Sequence, residues 1–256
     1  MFINNINPVL FTIGPFAIKY YGLVYALGFI LAYVLLRYAV KKGRIKLTYD
    51  AIDSYLLWLI VGVVVGARLF EIIFYEPSYY FSHPLAMFMI WNGGMSFHGG
   101  LAGVILVTYL YSRKYHITFY DLADVIALPA ALALAIGRIA NYTNSELVGT
   151  ITDPAKTPWC VVFQRVDQYC RHPSQLYESI THLFTFSVLL VMRRKKSAFK
   201  KGTISAIFLI LYGALRFLSD IFRDDPRYLG ISMGQFLSIL TLILGIILLW
   251  NIHKKD

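Results

Sequence analysis

Long apolar runs separated by short polar clusters set the pattern of this chain. Seven of them, at about residues 20–40, 51–74, 96–112, 121–140, 173–192, 203–222 and 231–252, reach or approach the roughly 20 residues of helix that cross a hydrocarbon core about 30 Å thick. The third run is short and Gly-rich and the sixth carries Arg216 and Asp220, so these two fit the template least well. Period-two alternation of the kind a lipid-facing barrel needs is absent, so helices must satisfy the backbone in lipid. The pattern predicts an all-α membrane protein, a seven-transmembrane-helix bundle forming one domain over residues 1–256. The loop 75–97 holds two prolines, a Gly pair and many aromatics, and reads as an interfacial arm with its rings at headgroup level. The loop 141–172, with Asp153-Pro154 and Thr157-Pro158, reads as a small outer-face cap.

Composition supports a membrane protein and charge adds an orientation. With 58% hydrophobic and 15% charged residues, the 256-residue chain is too apolar for a water-soluble domain of its size. A net charge of +10 raises the question of nucleic acid, but the positions of the charges answer it. Arg37, Lys41, Lys42, Arg44 and Lys46 follow the first run, and Arg113 and Lys114 follow the third. Arg193, Arg194, Lys195, Lys196, Lys200 and Lys201 follow the fifth, and Lys254 and Lys255 close the chain. In a seven-helix alternation all of these fall on one face, which the positive-inside rule makes cytoplasmic. The N-terminus is then outside, the C-terminus inside, and the basic groups meet anionic lipid rather than nucleic acid. No charged n-region precedes the first run, so that helix is expected to stay. Cys160 and Cys170 both lie in the cap loop, where an oxidising compartment permits a bridge and two unbonded thiols are the competing reading.

The polar residues inside the apolar runs need a reason. Arg68, in "VVVGARLFEII", Arg138, in "GRIANYTNSELVG", and Arg216, in "LILYGALRFLSD", lie within or at the end of apolar helices, all towards the outer leaflet. An arginine at mid-bilayer costs about 2.5–3.5 kcal/mol on the lenient insertion scale. Each could snorkel or pair with an acid such as Glu71, Glu146 or Asp220. Alternatively, three guanidinium forks on one side match the anionic phosphate available at that depth, a phospholipid headgroup. His98 opens the third run among Gly93, Gly94, Gly99 and Gly100, where backbone or a ligand can approach closely, although a lone helix-end histidine is often structural. Tyr21 and Tyr212 each precede a glycine and could equally be belt tyrosines. "RHPSQLYES", 171–179, buries Gln175 and Glu178 on adjoining turns of the fifth run. No G-x-S-x-G elbow occurs, so serine hydrolysis is not indicated, and no metal-ligand spacing occurs, so neither metal nor cofactor is expected.

These motifs, "HGGLAGV", "GRIANYTNSELVG", "RHPSQLYES", "YGLVYALGF" and "YGALRFLSDIFRDDP" ahead of "ISMGQ", together resemble the prolipoprotein diacylglyceryl transferase family almost end to end. Ala140 and Tyr142 stand where the family pattern has Gly and Phe, and Asp220 where it has Glu. The resemblance implies an enzyme of the bacterial inner membrane. Such an enzyme moves the diacylglyceryl group of phosphatidylglycerol onto the lipobox cysteine of a prelipoprotein signal peptide and releases glycerol phosphate. It also implies that Arg138 binds the phospholipid and that Asn141, Glu146, His98, Tyr21, Tyr212 and Arg216 are needed for activity.

The chemistry so implied is attack of a thiolate on a glycerol CH₂, with negative charge growing on the departing phosphate. Arg138 and Arg216 are assigned to that phosphate, with Arg68 among the lipid-binding arginines, because preorganised guanidinium groups act strongly in a site of low dielectric. A free thiol with a pKa of about 8.5 needs a base, and His98 is the candidate, with water or the lipid phosphate as other acceptors. Asn141, Glu146, Tyr21 and Tyr212 are read as hydrogen-bonding support. The expected partners are phosphatidylglycerol, the prelipoprotein and the bilayer, with the protein acting as a monomer. A multi-pass lipid or anion transporter is the alternative, against which stand the missing internal repeat and the one-sided arginines. A structural membrane subunit would have no use for the buried polar set.

Overall fold

The structure is a computed structural model that describes residues 2–13, 16–194 and 199–254. Lys195, Lys196 and Lys255 of the basic clusters lie outside the described residues, as does the side chain of Tyr21. The helices are α1 (Tyr20–Lys41), α2 (Tyr49–Phe70), the short α3 (Pro77–Ser82), α4 (Phe97–Lys114), α5 (Phe119–Asn144), α6 (Ser174–Arg194), α7 (Thr203–Asp220) and α8 (Met233–Lys254). Each of the seven predicted runs therefore holds one long helix. Five spans are long and apolar enough to cross a membrane: Gly22–Lys41, Tyr49–Tyr75, Phe119–Asn144, Thr203–Asp220 and Met233–Lys254. The sixth run qualifies in spite of Arg216 and Asp220, while the third and the fifth fall short. In the fifth, α6, the cause is a polar stripe of Ser174, Gln175, Glu178, Ser179, His182 and Thr185, all buried. Large apolar side chains such as Ile30, Leu57, Leu106, Ile243 and Trp250 point outward instead, as lipid-facing surfaces require. The chain is a multi-pass membrane protein.

The fold is not purely helical. Strands β1 (Phe2–Asn4), β4 (Val161–Phe163) and β5 (Cys170–Arg171) form a small sheet in the order β1-β4-β5, with β1 parallel to β4 and β4 antiparallel to β5. Two further antiparallel ribbons pair β2 (Val9–Ile13) with β3 (Phe16–Lys19) and β6 (Arg227–Tyr228) with β7 (Ile231–Ser232). Cys160 and Cys170 are disulfide-bonded across the β4–β5 hairpin, which resolves the open question about the two thiols.

Two compact units make up the chain, one of Met1–Leu31 with Ile126–Asp256 and one of Ala32–Val125. In the second unit α2 and α4 pack through small residues four apart, Gly62 and Gly66 against Gly99 and Gly103. A methyl group on Gly103 would lie 2.0 Å from the Gly62 carbonyl oxygen, and one on Gly99 would lie 2.2 Å from that of Gly66. Backbones that close gain the van der Waals contact that drives helix association in lipid. The buried Tyr55 hydroxyl adds a 2.8 Å hydrogen bond to Thr108 between the same helices. In the first unit α5, α6, α7 and α8 bring their polar residues together. Ser179 on α6 donates to the Ala135 carbonyl of α5 at 2.9 Å, and Gly213 of α7 meets the α8 backbone at Ser238 and Leu242.

Candidate functional site

Glu178 is the centre of the polar cluster in the first unit. It stands one turn into α6, is 1% exposed, and is approached by three guanidinium groups from three directions. Arg138, near the end of α5, places Nε 2.8 Å from Glu178 Oε2. Arg216, on the last turn of α7, places Nε 3.6 Å from the same oxygen. Arg223, just beyond α7, reaches Glu178 Oε1 at 3.3 Å through Nη1. Asp220, fully buried, pairs with Arg216 one turn earlier and accepts a hydrogen bond from Ser232, and Asp225 takes Arg223 Nε at 2.9 Å. Three guanidinium charges, those of Arg216 and Arg223 buried and that of Arg138 part-exposed, face two fully buried carboxylates, with part-exposed Asp225 alongside Arg223. Removing a partner from such a cluster is costly, because it leaves a desolvated charge uncompensated.

Each arginine is held by an orienting contact. Asn141 lies three residues after Arg138 on the same face of α5, accepts from its Nη1 at 3.2 Å and donates to Glu146 Oε2 at 3.2 Å. The turn that carries Glu146 needs two non-glycine residues with positive φ, Ser145 and Leu147. It is tied down by α6, where Gln175 donates to the Glu146 carbonyl at 2.6 Å and Ser174 to that of Leu147 at 2.9 Å. Gly149 ends the motif for a steric reason, since a methyl group there would sit 2.3 Å from the His172 carbonyl oxygen. Tyr212, one turn before Arg216, stacks flat on His182 with ring centroids 5.6 Å apart. Arg138 and Arg216 each keep one terminal nitrogen, Nη2, without a hydrogen-bond partner among the described residues. That is the arrangement an anionic ligand requires: guanidinium groups already oriented, each with a donor to spare.

The cap braces this region. Arg171 is buried and bonds Asp167, Asp224 and the Gly149 carbonyl, so one side chain joins the hairpin to the turn before it and to the segment after α7. The Arg171 guanidinium holds the Asp167 carboxyl below the ordinary carboxylate range, and burial lowers the His172 imidazole. Asn4 in β1 donates to the Tyr142 carbonyl at 2.7 Å, next to Asn141.

The predicted site residues divide between the units. Arg138, Asn141, Glu146, Tyr212 and Arg216 gather in the first; His98 and Arg68 belong to the second. Tyr21 opens α1, with its side chain outside the described part. His98 is exposed on the first turn of α4, with Nδ1 3.4 Å from the Tyr75 hydroxyl. Its neighbour Gly99 is explained by helix packing instead of by space for a ligand. Arg68, expected among the lipid-binding arginines, is engaged within its own unit. Its guanidinium donates to the carbonyls of Ala86, Met87, Met89, Gly93 and Gly94 and to the Tyr80 hydroxyl, so all three nitrogens are occupied in folding the 75–97 arm. The third arginine of the cluster is Arg223, within the quoted "RFLSDIFRDDP" but not singled out there, because an arginine beside two aspartates in a loop looks like an ordinary solvated charge. Glu178 was legible as buried cargo, though its three partners were not.

Comparison with known proteins bears on this geometry. The pattern of the prolipoprotein diacylglyceryl transferase family matches residues 8–251. A phosphatidylglycerol–prolipoprotein diacylglyceryl transferase of Chromobacterium violaceum is 42% identical, with 95% of this chain and 94% of the relative covered. Those of Bordetella avium and Geobacter sulfurreducens are 43% and 41% identical, each with 94% of this chain covered and with 93% and 94% of the relative. By a match across nearly its whole length and by relatives at this identity, the chain belongs to the prolipoprotein diacylglyceryl transferase family.

Proposed function

We propose that this transferase moves the diacylglyceryl group of phosphatidylglycerol onto the thiol of a prelipoprotein's lipobox cysteine, at the outer leaflet of the bacterial cytoplasmic membrane. The single observation that carries the reading is the set of three guanidinium groups around Glu178, with one donor left over on Arg138 and one on Arg216. In the reaction the cysteine sulfur forms a bond to the terminal glycerol CH₂, the carbon–oxygen bond to phosphate breaks, and the electron pair leaves with glycerol phosphate. Charge on the leaving phosphate rises as that bond breaks, so the donors of Arg138 and Arg216 gain strength in the transition state. Asn141 and Glu178 orient Arg138, Glu146 orients Asn141, and Tyr212 and Tyr21 support the lipid's glycerol. The thiol proton passes to His98, whose imidazole can accept it through a ring nitrogen.

Two observations support the outer-leaflet placement. The Cys160–Cys170 disulfide belongs in an oxidising compartment, which is the outside of this membrane. The basic clusters after α1, α4, α6 and α8 lie on the opposite side in a seven-span arrangement with the N-terminus outside. Transport is set aside, since the family transfers a lipid group and the arginines form one closed cluster rather than a path.

The test is to incubate the purified protein with phosphatidylglycerol vesicles and a lipobox peptide and to look for the diacylglyceryl mass gain on cysteine. The parent protein gains product, and His98→Gln slows turnover across neutral pH while phosphatidylglycerol binding persists. Absence of product from folded protein defeats the function, whereas a parent-like rate in His98→Gln defeats only the assignment of the base.

A further inference from the structure

One face of α6 carries Gln175, Glu178 and His182, three polar side chains at spacings of three and four and each about 1% exposed. Glu178 is accounted for by ion pairs with the arginines, its Oε2 meeting two of them without hydrogen-bond geometry. The other two have an atom each that is not: Nε2 of His182 and Oε1 of Gln175 are buried with no hydrogen-bond partner among the described residues. Buried polar atoms are nearly always paired, and an unpaired one costs about as much as a lost hydrogen bond. These two flank the carboxylate that organises Arg138, Arg216 and Arg223. His182 is also within electrostatic reach of Arg138 and Arg216 and is fixed in orientation by its stack on Tyr212.

Resting on the proposed function, we infer that His182 Nε2 and Gln175 Oε1 receive the hydroxyl groups of the lipid's polar head, and so make the enzyme selective for a diol headgroup. The chemistry favours a hydroxyl over the other common donors. Gln175 Oε1 is a carbonyl oxygen and only accepts, and the hydrogen bond from its amide nitrogen to the Glu146 carbonyl fixes the orientation of the amide. A hydroxyl donates to an acceptor without bringing charge, whereas an ammonium headgroup would enter beside three guanidinium groups and be repelled. Two glycerol carbons separate the headgroup's phosphate ester oxygen from the nearer hydroxyl, so a lipid held by Arg138 and Arg216 through phosphate presents its hydroxyls to the neighbouring side chains of α6. The Tyr212 ring holds the imidazole plane in place, which gives Nε2 a fixed direction.

The experiment compares two lipids of equal phosphodiester charge, phosphatidylglycerol and phosphatidylethanol, the second lacking both hydroxyls and one carbon of the headgroup, with the full-length protein and one lipobox peptide. The readout is the ratio of kcat/KM for the two lipids. The same ratio read from inhibition of phosphatidylglycerol transfer by phosphatidylethanol covers a lipid that binds without reacting. The parent prefers phosphatidylglycerol by about tenfold or more, the scale of one or two hydrogen bonds to a buried acceptor. His182→Phe keeps the stacked ring and removes the nitrogen, and its preference falls to about threefold or less. His182→Gln restores a hydrogen-bonding terminus and recovers most of the preference. A purely structural role for His182 lowers both rates together and leaves the ratio at the parent value, which overturns the inference even where His182→Phe is poorly folded. A parent ratio near one overturns it as well. A parent that uses neither lipid defeats the proposed function instead.

Discussion

Arg68 and Arg138 start from nearly the same local sequence, a small residue before the arginine and an apolar helix around it, yet they are buried by opposite means. Arg68 is surrounded by backbone carbonyls of its own arm and Tyr80, with no nitrogen left over. Arg138 shares a carboxylate with two other arginines, is 17% exposed, and keeps a nitrogen for something else. Carbonyls are neutral acceptors that satisfy a guanidinium group without cancelling its charge, and a loop wrapped round it becomes rigid. Carboxylates fix the direction of the guanidinium groups and compensate most of their charge, and what is left over can act on a ligand. An arginine in a membrane helix is therefore not a lipid ligand by virtue of its depth; its partners decide.

The comparison breaks most visibly at the shared carboxylate. Glu178→Leu leaves three guanidinium groups facing one another, so transfer should fall by at least about 100-fold and the folded state should lose about 3–5 kcal/mol. Lipid-transfer kinetics and thermal melting in detergent report both losses, and an unchanged melt would mean that Glu178 does not hold the cluster.

Replacing each arginine by lysine sharpens the contrast at an intermediate scale. Arg138→Lys keeps the charge and loses the fork, so kcat/KM should drop about tenfold or more with little change in melting temperature. Arg68→Lys should do the reverse, destabilising the protein by about 3 kcal/mol through lost charged hydrogen bonds while each folded molecule turns over within about twofold of the parent rate. If Arg68→Lys abolishes transfer at a normal melting temperature, Arg68 belongs with the lipid-contacting residues after all.

The smallest effect concerns the cap. Arg171 depresses the Asp167 carboxyl, so the stabilisation is fully present above the unfolded value of about 3.9 and is lost as pH falls through the lower folded value. Protection factors of the cap amides, measured against their intrinsic exchange rates at each pH, should stay level from pH 7 to about pH 4 and fall below that. Asp167→Asn should exchange faster at neutral pH and show no acid step, and persistence of the step in that variant would assign it to another carboxylate.

How much of this was legible depended on whether partners lie close in the chain. The seven long helices follow from run length and apolarity, which are local. Arg138, Asn141 and Glu146 stand within one short motif that the family resemblance picks out, on one helix face and the turn after it. Arg223 and Glu178 are 45 residues apart, and no periodicity connects them. The partners of Arg68 come from carbonyls, which every residue has and no composition can flag. The strands of the cap and the bonded state of Cys160 and Cys170 likewise appear only once separate segments pair.

The amino-acid sequence by itself determined the solvent of this protein, the number and placement of its long helices and the local Gly-Arg…Asn…Glu motif, because burial in lipid acts on each stretch of chain independently of the rest. Tertiary structure alone decided which arginines share a carboxylate and which is spent on a loop. A charge in a medium of low dielectric is governed by the few atoms within about 4 Å of it, and in a helical bundle those atoms come from other helices.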